Sequence, residues 1–492
     1  MNQPSRSWLS MAALAAVAVA VASVLWRVWL AGQADLAPDE AYYHAWSTRL
    51  AWTYLDHPPM TAWLLALMGA GPGDALGVRG LAIALTTGAL AALAALVWRP
   101  ATPMRSVGAV TLAVLTPAFG VGSVLLTPDA GLLLCWTLAL LATVQLAGGG
   151  GWRPVALLAA AMAVGLLFKV TMGLMVLVVA LGWAVGAFSP SQARRAGLAL
   201  LTGCALAAPV YAAGLARGHI LGFQAGRLSA AELRPLGALE AVGGWLGVAA
   251  PVVGAAGLAL AVWGVLARAR ATSVERIVWA SVAAPLGVFV ALGTVVHGEA
   301  NWSLVALPGA VCALVFLAER HPLGRPRWAW GTALGLGVAV LGAAVWMVAR
   351  GAPAVGPDPL HEVHGWQTWA QEVAAVVDCE EPLVVTDRYQ EASELRFYGG
   401  LEAWPLVSVE ALGYAEPSGD AGPGRPTAFD RTWVDRPVSC VVLVTGGQVQ
   451  PGPRVKGWRR RAVVALDRGP SSSVVTVLEA AGAGEAPGGG SP

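Results

Sequence analysis

Four polar stretches interrupt an otherwise apolar chain, and each holds residue types able to move a proton or meet a phosphate. The densest is residues 35–60, DLAPDEAYYHAWSTRLAWTYLDHPPM, where Asp39-Glu40 and Asp56-His57 sit among aromatic residues that include Tyr43. A positioned carboxylate suits removal of a proton from an attacking hydroxyl or amine, which makes Asp39 and Glu40 candidate catalytic groups. The pair has a plainer reading, in which Asp39 caps a helix that begins at Glu40 after Pro38. Asp56 and His57 could hold a phosphate or a divalent ion, the imidazole being neutral or cationic as required. They equally suit a turn closed by an Asx-type hydrogen bond before Pro58-Pro59. A metal on Asp39, Asp56 and His57 stays open, and nothing else in the chain asks for a cofactor.

The other three stretches are shorter. In LLTPDAGLL, Thr127-Pro128 opens a helix and puts Asp129 in its first turn, where the helix dipole favours a carboxylate. In FKVTMG, Lys169 stands at a helix end; it and Lys456 are the only lysines among 31 Lys and Arg. Arg79 lies at the start of another helix. Both cations match phosphate oxygens, Arg as a fork and Lys as a point charge, and both could simply snorkel to headgroups. In VVHGEANWS, His297, Glu299 and Asn301 cluster as site residues or as interface polar residues, with Asn301 a helix cap.

The elements that must position these groups are membrane helices. The chain is 57% hydrophobic and only 12% charged over 492 residues, against about 25% charged in soluble domains. A net charge of +2 with no basic stripe excludes a nucleic-acid partner. The 22 Trp suit membrane–water interfaces. Apolar runs at 8–30, 79–98, 106–125, 130–147, 154–170, 172–188, 197–215, 241–266, 277–296, 303–318 and 329–349 give about eleven spans. The first lacks a small-residue cleavage site and reads as a retained helix rather than a signal peptide. With that count, Arg99 and Arg105, Arg153, Arg194 and Arg195, Arg268, Arg270 and Arg276, and Arg320, Arg325 and Arg327 all fall on one side. The positive-inside rule makes that side cytoplasmic, with the N-terminus. The candidate site residues then share the opposite surface, as does a loop at about 216–240 with Arg217, His219, Arg227, Glu232 and Arg234.

Residues 1–350 therefore read as a polytopic α-helical membrane domain, and 351–481 as a soluble extracytoplasmic α/β domain. In the latter, GWQTWAQEVAAVV and YQEASELRFY read as helices and PLVVTD, VSCVVLVT, RRRAVVALD and SVVTVLEA as strands. Residues 414–427 read as a loop and 482–492 as a disordered tail. Of five Cys, Cys379 and Cys440 lie in the outer domain, where a disulfide is permitted. No nucleotide-binding glycine motif and no C-x-x-C is present.

Taken in order, PDEAYYHAW, YLDHPP, LLTPDAGLL, GLLFKVTMGL and GEANW resemble motifs of bacterial glycosyltransferases with the GT-C fold, in particular the protein O-mannosyltransferase-like group and the aminoarabinose transferases. TDRYQEASELRFYGG resembles a segment of their outer domains. The resemblance implies a multi-pass enzyme of the bacterial inner membrane and a sugar donor carried on polyprenyl phosphate. It implies transfer outside the cytoplasm to a lipid, glycan or protein acceptor. It further implies that Asp39, with Glu40 beside it, is the catalytic centre, that Lys169 and Arg79 meet the donor phosphate, and that Asp129 is the acidic residue of the third motif. His57 stands where the aminoarabinose transferases carry Lys, which puts direct phosphate binding at that position in doubt. Two other classes compete. A transporter or flippase for a lipid-linked sugar would show repeated halves and midplane charges, neither of which appears. A glycan-binding assembly protein with a decayed site is the third, and the intact acidic pairs argue against it.

Overall fold

The computed structural model describes residues 6–98, 102, 104–229, 231–249, 272–320, 327–350, 363–379, 382–405, 440–446, 458–466 and 473–480. The segment 414–427, the tail from Gly482, and Arg99, Arg268, Arg270 and Arg325 lie outside them, as does the second half of the apolar run at 241–266. The chain forms two compact units. One comprises residues 1–33, 51–64 and 79–350, and the other 34–50, 65–78 and 351–492.

The first unit is helical. It begins with α1 (Arg6–Ala31), and after part of the first loop continues through α4 (Ala75–Val97) and α5 (Met104–Val114). The loop itself holds two further helices, α2 (Pro38–Ser47) and α3 (Met60–Met68). Next come α6 (Pro117–Gly120), α7 (Pro128–Ala147), α8 (Trp152–Phe168), α9 (Met175–Ala184) and α10 (Pro190–Leu215). They are followed by α11 (Leu221–Ser229), α12 (Gly237–Ala249), α13 (Ser273–Gly293), α14 (Leu307–Arg320) and α15 (Arg327–Arg350). Among the described residues, five helices are long and apolar enough to cross a membrane: α1, α4, α7, α10 and α13. Shorter apolar helices stand among them, and the chain is an integral multi-pass membrane protein.

A helix in lipid must satisfy its own polar groups. Accordingly the buried hydroxyls of Thr137 and Thr143 donate to the carbonyls of Leu133 and Ala139, both at 2.7 Å. The core of this unit runs through Leu90, Leu93, Trp136, Leu140, Met162 and Phe168. The apolar run at 106–125 is not one helix. It breaks after Val114, because Thr116 adopts an extended backbone and caps α6 from its side chain, and Pro117 has no N–H to continue a helix.

In the second unit, α16 (Trp366–Val376) and α17 (Tyr389–Tyr398) flank a five-stranded mixed sheet. Its strands are β1 (Pro382–Thr386), β2 (Ala403–Pro405), β3 (Cys440–Gly446), β4 (Trp458–Leu466) and β5 (Ser473–Ala480), in the order β2-β1-β3-β5-β4. β1 runs parallel to β2 and β3, with Val384 opposite both Ala403 and Val442. β5 runs antiparallel to β3 and β4. The parallel β1–β2 pair follows the helix–strand alternation at 366–405. Cys379 and Cys440 form the expected disulfide, with Cα atoms 6.3 Å apart, tying the exit of α16 to the start of β3. Helix α2 belongs to this unit, and Ala45 joins its core beside Trp369, Val384 and Leu395.

Candidate active-site residues

In the helical unit, three of the sequence motifs meet. Helix α8 ends at Phe168, and Lys169 turns to an extended backbone before a 3₁₀ turn over Val170–Leu174. The turn of direction aims Lys169 at the first turn of α7. Its Nζ donates to both carboxylate oxygens of Asp129, each at 2.8 Å. The amide of Asn301, from the 3₁₀ segment Ala300–Ala306, donates to Asp129 Oδ2 at 3.0 Å. Lys169 is 9% exposed and Asp129 5%. The absence of a side chain at Gly131 makes the approach possible, since a Cβ there would lie 2.2 Å from the Phe168 ring. An ion pair so enclosed persists only when its geometry is good and its remaining donors and acceptors are matched. Asn301 Oδ1 is buried with no hydrogen-bond partner among the described residues, so the cluster keeps an acceptor in reserve. Snorkelling does not describe Lys169.

The remaining candidates of this unit each meet other partners. Asp56 Oδ2 lies 3.2 Å from His57 Nδ1, and Asp56 Oδ1 is buried without a hydrogen-bond partner among the described residues. Arg79 is almost fully enclosed, at 1% exposure, and Nη1 donates to the carbonyl of Ala31 at 2.8 Å. Ala31 ends α1, where the helix carries partial negative charge, and so Arg79 holds α1 to α4. His297 and Glu299 pair with residues other than Lys169. His297 Nδ1 is 3.9 Å from Glu240, which also pairs with Arg234, and Glu299 is 3.7 Å from Arg227. Arg227 in turn lies over the Trp302 ring at 5.1 Å, so basic residues of the 216–240 loop find acidic and aromatic partners near their own helices.

In the second unit the adjacent carboxylates Asp39 and Glu40 have separate surroundings. Helix α2 starts at Pro38, two residues earlier than a cap at Asp39 would require, with Ala37 at its N-cap. The fully buried Glu40 reaches back and accepts from the Ala37 N–H at 2.9 Å, satisfying one of the donors that a helix start leaves bare. Asp39 is exposed, and its Oδ1 accepts from the Tyr389 hydroxyl at 2.8 Å. Tyr43 is buried, its ring edge-on to Trp46 at 5.1 Å.

Three further ionisable groups in this unit are shifted by burial. Desolvation lowers the pKa of His44, although the Ala70 carbonyl at 3.1 Å and Asp74 pull it back up. Burial raises the Glu391 carboxyl, against the lowering effect of Arg388 at 2.9 Å. Burial brings Arg396 down to about 10; its guanidinium lies over Trp404 at 4.8 Å. Among the described residues no group of three His, Cys, Asp or Glu side chains gathers as a metal site would need. Asp56 and His57 offer two donors, and Asp39 belongs to the other unit.

Sequence reasoning passed over two residues. Tyr389 lies in a motif quoted above, but nothing in sequence order links it to Asp39, 350 positions away. Arg27 sits inside the first apolar run and is fully buried, donating to Thr86 and Thr87 hydroxyls at 2.7 and 2.8 Å. A charge within a membrane helix was the available signal for it.

Residues 56–212 match the family model described as dolichyl-phosphate-mannose-protein mannosyltransferase. No curated protein matches the chain. Among solved structures, the fold is similar to that of ArnT from Cupriavidus metallidurans bound to undecaprenyl phosphate, with a TM-score of 0.62 at 14% identity over 96% of this chain and 98% of that one. The apo state of the same protein gives 0.60 at 13% identity over the same shares, 96% and 98%. The archaeal oligosaccharyltransferase AglB from Archaeoglobus fulgidus, in complex with an inhibitory peptide and a dolichol-phosphate, gives 0.50 at 10% identity over 87% and 69%.

Proposed function

We propose, for a chain that carries a mannosyltransferase-family segment within a GT-C glycosyltransferase fold, that it moves a sugar from a polyprenyl-phosphate donor to an acceptor outside the cytoplasm. The acceptor is a lipid, glycan or protein. The observation that carries the reading is the enclosed Lys169. An ammonium has three N–H donors; two go to Asp129, and one is left for a phosphate oxygen. The matched family segment covers both Lys169 and Asp129. Family and fold relatives named for dolichyl-phosphate-mannose, undecaprenyl phosphate and dolichol-phosphate support a lipid-phosphate donor.

In this reading the acceptor hydroxyl or amine attacks the anomeric carbon. Its proton passes to the Asp39 carboxylate, the bond from that carbon to the phosphate oxygen breaks, and polyprenyl phosphate leaves with the electron pair. A single displacement inverts the anomeric centre. Lys169 answers the charge that grows on the leaving phosphate, and Asp129 and Asn301 fix where the ammonium stands; such preorganised charge is a large source of rate acceleration. Arg79 contributes by holding helices together. The polypeptide crosses the bacterial inner membrane about eleven times with its N-terminus in the cytoplasm, so that Asp39 and the 351–481 domain face outward.

Purified protein given a radiolabelled polyprenyl-phosphate sugar should transfer label to an envelope acceptor fraction. Asp39→Asn, and Lys169→Met paired with Asp129→Asn so that no bare buried carboxylate remains, should each lower transfer roughly a hundredfold or more while the protein stays folded. Near-normal transfer by either folded variant would remove the replaced groups from the mechanism, and no transfer by the wild type to any envelope fraction would overturn the reading.

A further inference from the structure

Helix α13 ends at Gly293, and the segment after it brings Asn301 to the Asp129–Lys169 pair. The chain turns tightly there. The Trp302 N–H donates to the Glu299 carbonyl at 3.1 Å, which makes Asn301 the third residue of a four-residue turn, with Glu299 and Trp302 at its ends. Residues three apart in such a turn stand on the same side. One guanidinium spans both of them. Arg227, in the last turn of α11, lies 3.7 Å from the Glu299 carboxylate and 5.1 Å from the centre of the Trp302 ring. The same ring meets Phe289 of α13 at 6.0 Å. Closer to α13, the outer loop pairs with this segment through its backbone: the Glu232 and Arg234 N–H groups donate to the carbonyls of Val295 and Thr294 at 3.1 and 2.7 Å. The turn that carries Asn301 is thus held by the outer loop both at its base and across its ends.

We propose that Arg227 is a positioning residue for the donor-phosphate cluster. By bridging Glu299 and Trp302 it sets the turn from which the Asn301 amide reaches Asp129, and through Asp129 it sets the Lys169 ammonium. The inference rests on Lys169 receiving the donor phosphate. It also gives the basic loop at 216–240 a task, which is to hold the site rather than to meet the donor. The physical basis is the angular sensitivity of a hydrogen bond, which weakens steeply as donor and acceptor fall out of line. A turn pinned at one end could tilt and carry the amide away from the carboxylate; a contact at each end removes that freedom. The ion pair alone would do little, since the Arg227 and Glu299 side chains are 32% and 57% exposed. The cation over an indole, the best aromatic partner for a charge, adds the second hold. Arginine suits both at once, because its plane stacks on a ring while its N–H fork faces a carboxylate.

The test is a double-mutant cycle on the full-length protein, read as its affinity for polyprenyl phosphate. Asn301→Ala removes the amide and should weaken binding about tenfold, as expected for a lost hydrogen bond to a charged group. Arg227→Met keeps an unbranched stem without the charge and should weaken binding roughly three- to fivefold. Added to Asn301→Ala, it should cost nothing more, because Arg227 acts through the amide. Arg227→Lys keeps a cation for the ring and should recover most of the loss, which a role in bulk alone does not predict. Melting in detergent, with affinity counted per folded molecule, separates these losses from unfolding. If folded Arg227→Met binds like the wild type while Asn301→Ala is impaired, the positioning role fails. If the two losses multiply, as they would were Arg227 to meet the phosphate itself, or if the Lys variant is as weak as the Met variant, the proposal is likewise overturned. If Asn301→Ala binds like the wild type, nothing passes through the amide and the proposal falls while the reading of Lys169 stands. If the paired variant Lys169→Met/Asp129→Asn binds like the wild type, the underlying reading fails first.

Discussion

Asp39 and Glu40 are neighbours of identical charge with unlike duties. Glu40 is enclosed and spends an oxygen on the Ala37 N–H, whereas Asp39 is exposed and takes the Tyr389 hydroxyl. Replacing Glu40 by Ala leaves a buried N–H bare and should lower stability by about 1–3 kcal/mol. Glu40→Gln keeps an acceptor at the same reach and should retain both the fold and most of the transfer activity. Thermal melting alongside the transfer assay reads both. A folded Gln variant as inactive as Asp39→Asn would instead place Glu40 in the chemistry. At this scale the sequence was informative about residue type and silent about division of labour. An acidic pair after proline reads alike as base or cap, and only the partners of each oxygen separate the two.

The helices were largely legible from their apolar runs, because a membrane span advertises itself by length and composition. Residue-level patterning mattered at breaks and ends. Thr116-Pro117 splits one run, and Lys169 closes another with an extended backbone instead of continuing to the headgroups. The pairing of α1 with α4 was not legible. It depends on Arg79 meeting the last carbonyl of α1 and on Arg27 meeting Thr86 and Thr87, contacts between residues 48 to 60 positions apart. Arg79→Leu should therefore act on stability, costing about 2 kcal/mol or more through the lost charged hydrogen bond. Transfer per folded molecule should change little. Thermal melting with activity normalised to folded protein makes the distinction. Full stability with transfer abolished would return Arg79 to the donor phosphate.

Across the whole molecule, the main surprise is which segments cluster together. Residues 34–50 and 65–78 of the first loop belong with the C-terminal sheet domain, while 51–64, with Asp56 and His57, belong with the membrane helices. A linear reading treats that loop as one object because nothing in its composition marks the division. The partners that make it, Tyr389, Tyr398 and Glu402, lie hundreds of residues away. Likewise, the order of the motifs indicated a glycosyltransferase, whereas the meeting of Asp129, Lys169 and Asn301 needed the folded chain. The central claim is that this enclosed ammonium receives the phosphate of a lipid carrier. It is tested most directly by the affinity of the purified protein for polyprenyl phosphate itself, without sugar or acceptor. Wild type is compared with the paired variant Lys169→Met/Asp129→Asn, which avoids leaving a bare buried carboxylate. The account predicts binding weaker by about tenfold or more, as expected for a lost charge-assisted contact. Equal affinity in the folded paired variant would contradict it.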